Sequence, residues 1–144
     1  KYKKIIGSAS QLNIKTGELV FINAGHESIL TFDENKNYEY IKSEMPPIGI
    51  VKYFTESMVK SNTINLKDKT FVVYTDGVTE GYMKNGEELG AEGVQKIINE
   101  MSQVTPKSIV EAIEKELNWG AEKLRDDITC MAININNTEL IKKK

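Results

Sequence analysis

An α+β fold, in which helices cover antiparallel sheet, is what this sequence predicts, and three observations predict it. Alternating apolar and polar residues dominate the first half, the period of half-buried strands. Two stripes at helical spacing follow, Val94-Ile97-Ile98-Met101 and Val110-Ile113-Leu117. A last apolar run from Ile128 to Ile135 then returns the chain to a sheet. Strands first, helices later and a closing strand give segregated layers rather than alternating βαβ units.

In order along the chain, Ile6 to Ile14 reads as a strand, Lys15-Thr16-Gly17 supplies turn chemistry, and Glu18 to Ile22 reads as the returning strand of a hairpin. Ser28 to Phe32 is a third strand. The polar turn Asp33-Glu34-Asn35-Lys36-Asn37 reverses it into Tyr38-Glu39-Tyr40-Ile41. Met45-Pro46-Pro47-Ile48-Gly49 is a loop, because consecutive prolines remove ladder donors. Phe54 to Ser61 and Thr70 to Thr75 add two strands. The first helical stripe gives one buried helix face; a second helix opens on Thr105 as N-cap with Pro106 in its first turn and runs to about Trp119.

The 144 residues suffice for one core and fall short of two ordinary domains, so residues 1–144 are expected to form a single domain. Forty per cent hydrophobic and 28% charged residues suit a soluble globular protein. Nineteen basic against 21 acidic side chains leave no basic excess for nucleic acid, and the terminal lysines read as solvated. The single cysteine, Cys130, rules out an internal disulfide and reads as a small buried residue in a reducing, cytoplasmic setting. No apolar run approaches the roughly 18 residues of a bilayer span, so no membrane contact by this chain is expected. An anchor upstream in a longer parent is left open.

Chemistry concentrates where strands end in carboxylates. Phe71-Val72-Val73-Tyr74-Thr75 runs into Asp76-Gly77, a strand that delivers a carboxylate to its end, with Gly77 placed to turn the backbone. Arg125-Asp126-Asp127-Ile128-Thr129 precedes the last strand, so Asp126 and Asp127 stand at its start. An Asp-Gly pair is also a common turn signal, and Asp126 could pair with Arg125 at small gain. Two adjacent carboxylates repel, however, and are easier to explain beside a cation.

Five motifs together carry a resemblance. Asn23-Ala24-Gly25-His26, Pro46-Pro47-Ile48-Gly49, Tyr74-Thr75-Asp76-Gly77-Val78-Thr79-Glu80, Gly86-Glu87-Glu88-Leu89-Gly90 and Asp126-Asp127-Ile128-Thr129 follow one another as in the bacterial sporulation-type serine phosphatases. The chain thus resembles, over nearly its whole length, the SpoIIE/RsbU-like branch of the metal-dependent (PPM, type 2C-like) protein phosphatases. That resemblance implies an α-β-β-α sandwich, two antiparallel sheets flanked by helices, with two Mn²⁺ or Mg²⁺ ions at one end. It implies hydrolysis of phosphoserine or phosphothreonine on a small phosphoprotein such as an anti-sigma-factor antagonist. Asp76 and Asp126 carry over as metal ligands, Asp127 as a further ligand or a supporting group, and Gly77 as the turn that lets Asp76 face the metals.

The family's upstream Gly-Asp motif, whose aspartate bridges both ions, has no counterpart before Asp33, where the acidic residues are Glu18 and Glu27. The expectation is therefore the C-terminal portion of a phosphatase domain, with the N-terminal part missing and little activity alone. His26, the only histidine, does not inherit the family's acid role, which belongs to that upstream motif; it reads as part of a tight connection or of a substrate or partner surface. Glu80 lies in the Val78–Gly90 segment, whose family counterpart flanks the active site and suits substrate selection. Other classes stay open: a catalytically silent module that binds a phosphorylated or anti-sigma partner, and a structural domain whose aspartates are surface turns. Pairing of exposed strand edges in a homodimer is open too.

Overall fold

A computed structural model describes residues 5–117 and 127–135. Seven strands form two antiparallel sheets. β1 (Gly7–Leu12), β2 (Glu18–Ala24) and β5 (Ser61–Asn65) make one, with β2 central. β3 (Ile29–Phe32), β4 (Tyr38–Ile41), β6 (Thr70–Tyr74) and β7 (Cys130–Ile133) make the other, in the order β4-β3-β6-β7. α1 (Asp76–Thr79), α2 (Gly90–Glu100) and α3 (Pro106–Glu116) complete the described elements.

The sheets pack face to face because strand alternation gives each an apolar side. Leu19 and Phe21 of β2 meet Ile29 of β3 and Phe71 of β6, and Leu66 fills the same core. Phe21 and Phe71 meet edge-on, with ring centroids 5.2 Å apart. The opposite face of the four-stranded sheet offers Leu30, Phe32, Val72 and Tyr74 to Val94 and Ile98 of α2 and Ile109 and Ile113 of α3. Three side chains tie that sheet to α2. Tyr38 and Tyr40 donate their hydroxyls to Asn99 Oδ1 (2.8 Å) and Gln95 Oε1 (2.9 Å). Lys36 Nζ donates to the carbonyls of Ile98, Asn99 and Met101 at 2.9–3.2 Å, a cation on the carbonyl end of the helix.

The other face of the three-stranded sheet is open: Ala9 and Thr63 are exposed, and Val20 and Ile22 half-buried. The described residues therefore form one helical layer on two sheets, and the second helical layer of the expected sandwich is not among them.

Several boundaries differ from expectation. Phe54 to Ser61 is not a strand; Glu56–Met58 is a single 3₁₀ turn, and the strand lies later, at Ser61–Asn65. Apolar Phe54, Met58 and Val59 stay exposed, whereas Ile64 pairs with Leu19 and joins the inter-sheet core, so tertiary pairing outranked composition. The first strand is shorter than predicted, and the last, Cys130–Ile133, sits inside the predicted range. α3 opens as expected on Thr105, whose hydroxyl accepts from Ser108 N while Ser108 Oγ accepts from Thr105 N, a reciprocal cap. Its buried face is Ile109 and Ile113, with Val110 half-buried, and Trp119 lies outside the described residues. Among the described residues no helix is long and apolar enough to cross a membrane.

Candidate metal centre

Antiparallel pairing of β6 with β7 decides where the carboxylates go. The ladder runs from Phe71↔Ile133 to Tyr74↔Cys130, so the residues after Tyr74 and those before Cys130 emerge at the same end of the sheet. Asp76 leaves β6 there and Asp127 enters β7 there; both are exposed. Asp126, the third predicted ligand, lies outside the described residues.

Thr75 joins the two strand ends beyond the ladder. Its amide donates to Thr129 O at 3.0 Å, its Oγ1 accepts from Thr129 N at 3.0 Å, and Oγ1 donates to Asp127 O at 3.0 Å. Sequence alone gives Thr75 no role. The available signal was a threonine beside each carboxylate segment, Thr75-Asp76 and Asp127-Ile128-Thr129.

The chain does not make a left-handed turn after Asp76. It enters the one-turn helix α1, where Glu80 N donates to Asp76 O at 2.7 Å and Thr79 Oγ1 to the same oxygen at 3.1 Å. Gly77 is helical, buried and outside the positive-φ glycines. Its expected role is corrected accordingly: glycine is not required here for a φ that other residues avoid. Gly77 N donates to Asp76 Oδ1 at 3.0 Å, which holds the carboxylate over the helix start. Glu80 closes α1 and is exposed. From there the chain folds back: Leu89 N donates to Gly81 O at 2.8 Å, and Met83 bridges to Leu117 at the end of α3. Gly81 permits that approach, since a Cβ there would lie 2.6 Å from Leu117 Cδ2.

The turn from β2 to β3 reaches the same end of the molecule. Asn23 is buried; its Oδ1 accepts from His26 N and its Nδ2 donates to Glu27 O, both at 2.9 Å. Gly25 has φ +73°, and a Cβ on it would stand 2.3 Å from Pro47 Cγ, so the Pro46-Pro47 loop lies directly on the turn. Ser43 Oγ accepts from Gly25 N at 2.7 Å and adds a second tie. His26 is thus part of a tight connection, half-buried, with its Nδ1 enclosed and lacking a hydrogen-bond partner among the described residues.

Two neighbouring groups, Tyr74 and Cys130, are pushed toward their protonated forms by burial. Burial, then the nearby Tyr40 and Glu27, pushes the Tyr74 hydroxyl well above its ordinary value. Burial pushes the Cys130 thiol up to about 11.

Asp76 and Asp127 supply hard oxygen donors at one exposed rim, which fits Mg²⁺ or Mn²⁺ and not a thiolate-seeking ion. Among the described residues no group of three or more acidic, histidine or cysteine side chains stands together.

A family model described as Stage II sporulation protein E (SpoIIE) matches residues 7–136. No curated protein matches the chain. Among solved structures, the SiaA-PP2C domain of Pseudomonas aeruginosa superposes with a TM-score of 0.66 at 18% identity, over 90% of this chain and 51% of that one. The phosphatase domain of the cell fate determinant SpoIIE from Bacillus subtilis, presoaked with manganese, gives 0.64 at 18% identity, over 91% and 56%. RsbX in complex with magnesium gives 0.57 at 13% identity, over 87% and 53%. The chain spans about half the length of these solved proteins, and at such identities the likeness is one of fold.

Proposed function

This chain belongs to the SpoIIE family and has the fold of PP2C-type phosphatase domains, and from that premise we propose that it supplies Asp76 and Asp126, with Asp127 as a further ligand or a supporting group, to a two-ion Mn²⁺ or Mg²⁺ centre for phosphoserine or phosphothreonine hydrolysis. The observation that carries the reading is the β6–β7 register, which brings Asp76 and Asp127 to one end of one sheet. The manganese presoak of the SpoIIE domain and the complex of RsbX with magnesium support the choice of ions.

When bound, such ions supply a water acidic enough at neutral pH to attack phosphorus in line, without a covalent phosphoenzyme. Asp76 and Asp126 would hold the ions from the sheet end, with Asp127 beside them as a further ligand or a supporting group. The backbone of α1 fixes the Asp76 carboxylate through Gly77 N. Glu80 and the 78–90 excursion border the rim, where a protein substrate's phosphorylated side chain would enter. The proposed substrate is a small cytoplasmic phosphoprotein of the anti-sigma-factor-antagonist kind. We further propose that residues 1–144 are the C-terminal portion of the catalytic domain and have little turnover alone.

The test is a thermal melt with and without Mn²⁺, on this chain and on a protein extended to the length of the solved domains, each beside Asp76→Asn. An ion at 100 times its Kd stabilises a single-site protein by about 2.7 kcal/mol. The extended protein is expected to show a shift of that order and Asp76→Asn to lose it. If the extended protein ignores Mn²⁺, the catalytic reading falls and a phosphoprotein-binding module without turnover takes its place. Metal-dependent phosphate release by the 144-residue chain would overturn the statement that it has little activity alone.

A further inference from the structure

Thr75 occupies the N-cap of α1, where a threonine hydroxyl ordinarily accepts from a backbone amide two or three residues on. Here it makes no cap bond to α1. The hydroxyl turns sideways to β7, accepting from Thr129 N and donating to Asp127 O, each at 3.0 Å. The regular ladder ends at Tyr74↔Cys130, and at Asp76 the chain winds into a helix whose backbone groups bond along its own axis. The Thr75 amide, bonded to Thr129 O at 3.0 Å, and the Thr75 hydroxyl carry the pairing outward to Asp127.

We propose that Thr75 is a positioning residue that fixes the β7 entry at Asp127 against Asp76, so that the carboxylates of the two strand ends address one divalent-ion site. This rests on the metal reading proposed above. A hydroxyl can do the work because it is donor and acceptor at once, and the two groups it joins are the carbonyl of Asp127 itself and the amide two residues on. Valine has the shape of threonine and neither capacity. Serine keeps both. Loss of the hydroxyl leaves the Thr75 amide on Thr129 O but removes its hold on Asp127 O and Thr129 N, without removing a ligand atom.

The experiment makes Thr75→Val and Thr75→Ser in the protein extended to the length of the solved domains and compares them with that unsubstituted parent, using Mn²⁺ alone as the probe and reading free ion by electron paramagnetic resonance. Thr75→Val is expected to weaken Mn²⁺ binding by about 10- to 100-fold, as groups that hold metal ligands in place commonly do, with Thr75→Ser close to the parent. A second readout needs no metal. Nitroxides on Asp76→Cys/Asp127→Cys in a Cys130→Ala background report the distance between the two positions, and adding Thr75→Val should broaden that distribution while adding Thr75→Ser leaves it narrow.

Equal Mn²⁺ affinity in the parent and a folded Thr75→Val, or an unchanged nitroxide distance, overturns the proposal. Should Thr75→Val fail to fold, a folded Thr75→Ser whose Mn²⁺ affinity falls tenfold or more does the same. A parent that binds no Mn²⁺ but whose nitroxide distance depends on the Thr75 hydroxyl keeps the positioning role and removes the metal reading.

Discussion

β2 and β6 are both central strands, and they live in different surroundings. In β6, Phe71 and Val72 point to opposite faces and both are buried, one between the sheets and the other beneath the helices. In β2 one face is covered, at Leu19, Phe21 and Asn23, while on the other Val20 and Ile22 are half-exposed and only Ala24 at the strand end is buried. The composition follows the cover, since a strand enclosed on both sides reads as a continuous apolar run and a strand open on one side alternates. The candidate metal centre belongs to the enclosed sheet. Asp76 and Asp127 extend from β6 and β7, and the order of the rim depends on the pairing of those two strands.

The largest expected effect lies where the two sheets meet. Phe71→Ala removes the ring that packs edge-on against Phe21 and leaves a void between layers, and it should cost about 3–5 kcal/mol in urea unfolding. Such a loss is a large part of the roughly 5–15 kcal/mol that holds an ordinary domain together. A cost below about 1 kcal/mol would mean that the sheets do not share this core in solution, which would break the comparison at its root.

A smaller effect is expected where α2 is tied to the four-stranded sheet. Lys36 sits at φ +59°, an unfavourable conformation for a residue with a side chain, and its ammonium donates to three carbonyls at the end of α2. Lys36→Met keeps most of the apolar stem and loses the donors, and should cost about 1–2 kcal/mol, since those carbonyls can reach water once freed. The cost should persist at 1 M salt if direct hydrogen bonds carry it. An effect abolished by salt would assign it to long-range attraction instead.

How much of this was legible in the sequence depended on whether the signal was local. The β1–β2 and β3–β4 hairpins, the Thr105-Pro106 helix start and the carboxylate ends of β6 and β7 rest on neighbouring residues, and the structure has them. β5 was misplaced because Ser61-Asn62-Thr63-Ile64-Asn65 looks weaker as a strand than the more apolar Phe54–Val59; the edge of β2 selects it, and that edge is not local. Gly77 was read as a turn glycine because Asp-Gly usually marks one, yet here the pair opens a helix. The link from Thr75 to Asp127 joins residues 52 positions apart and could not be seen before β6 and β7 were paired.

The smallest expected effect tests the open face, and it is informative because it should be small. Val→Thr changes shape little and adds a hydroxyl, so its cost reports whether that hydroxyl reaches water. At Val72, fully buried beneath the helices, the hydroxyl has to find a partner in an apolar core, and Val72→Thr should cost about 1–3 kcal/mol. At Val20, half-exposed and paired with exposed Thr63, the same change should stay within about 0.5 kcal/mol. If Val20→Thr cost as much as Val72→Thr, the outer face of the three-stranded sheet would be covered in solution. Dilution would then identify the cover: a cost that falls with protein concentration belongs to a second copy, because only that cover obeys mass action. A cost independent of concentration would place the cover within the same chain and make both sheets enclosed.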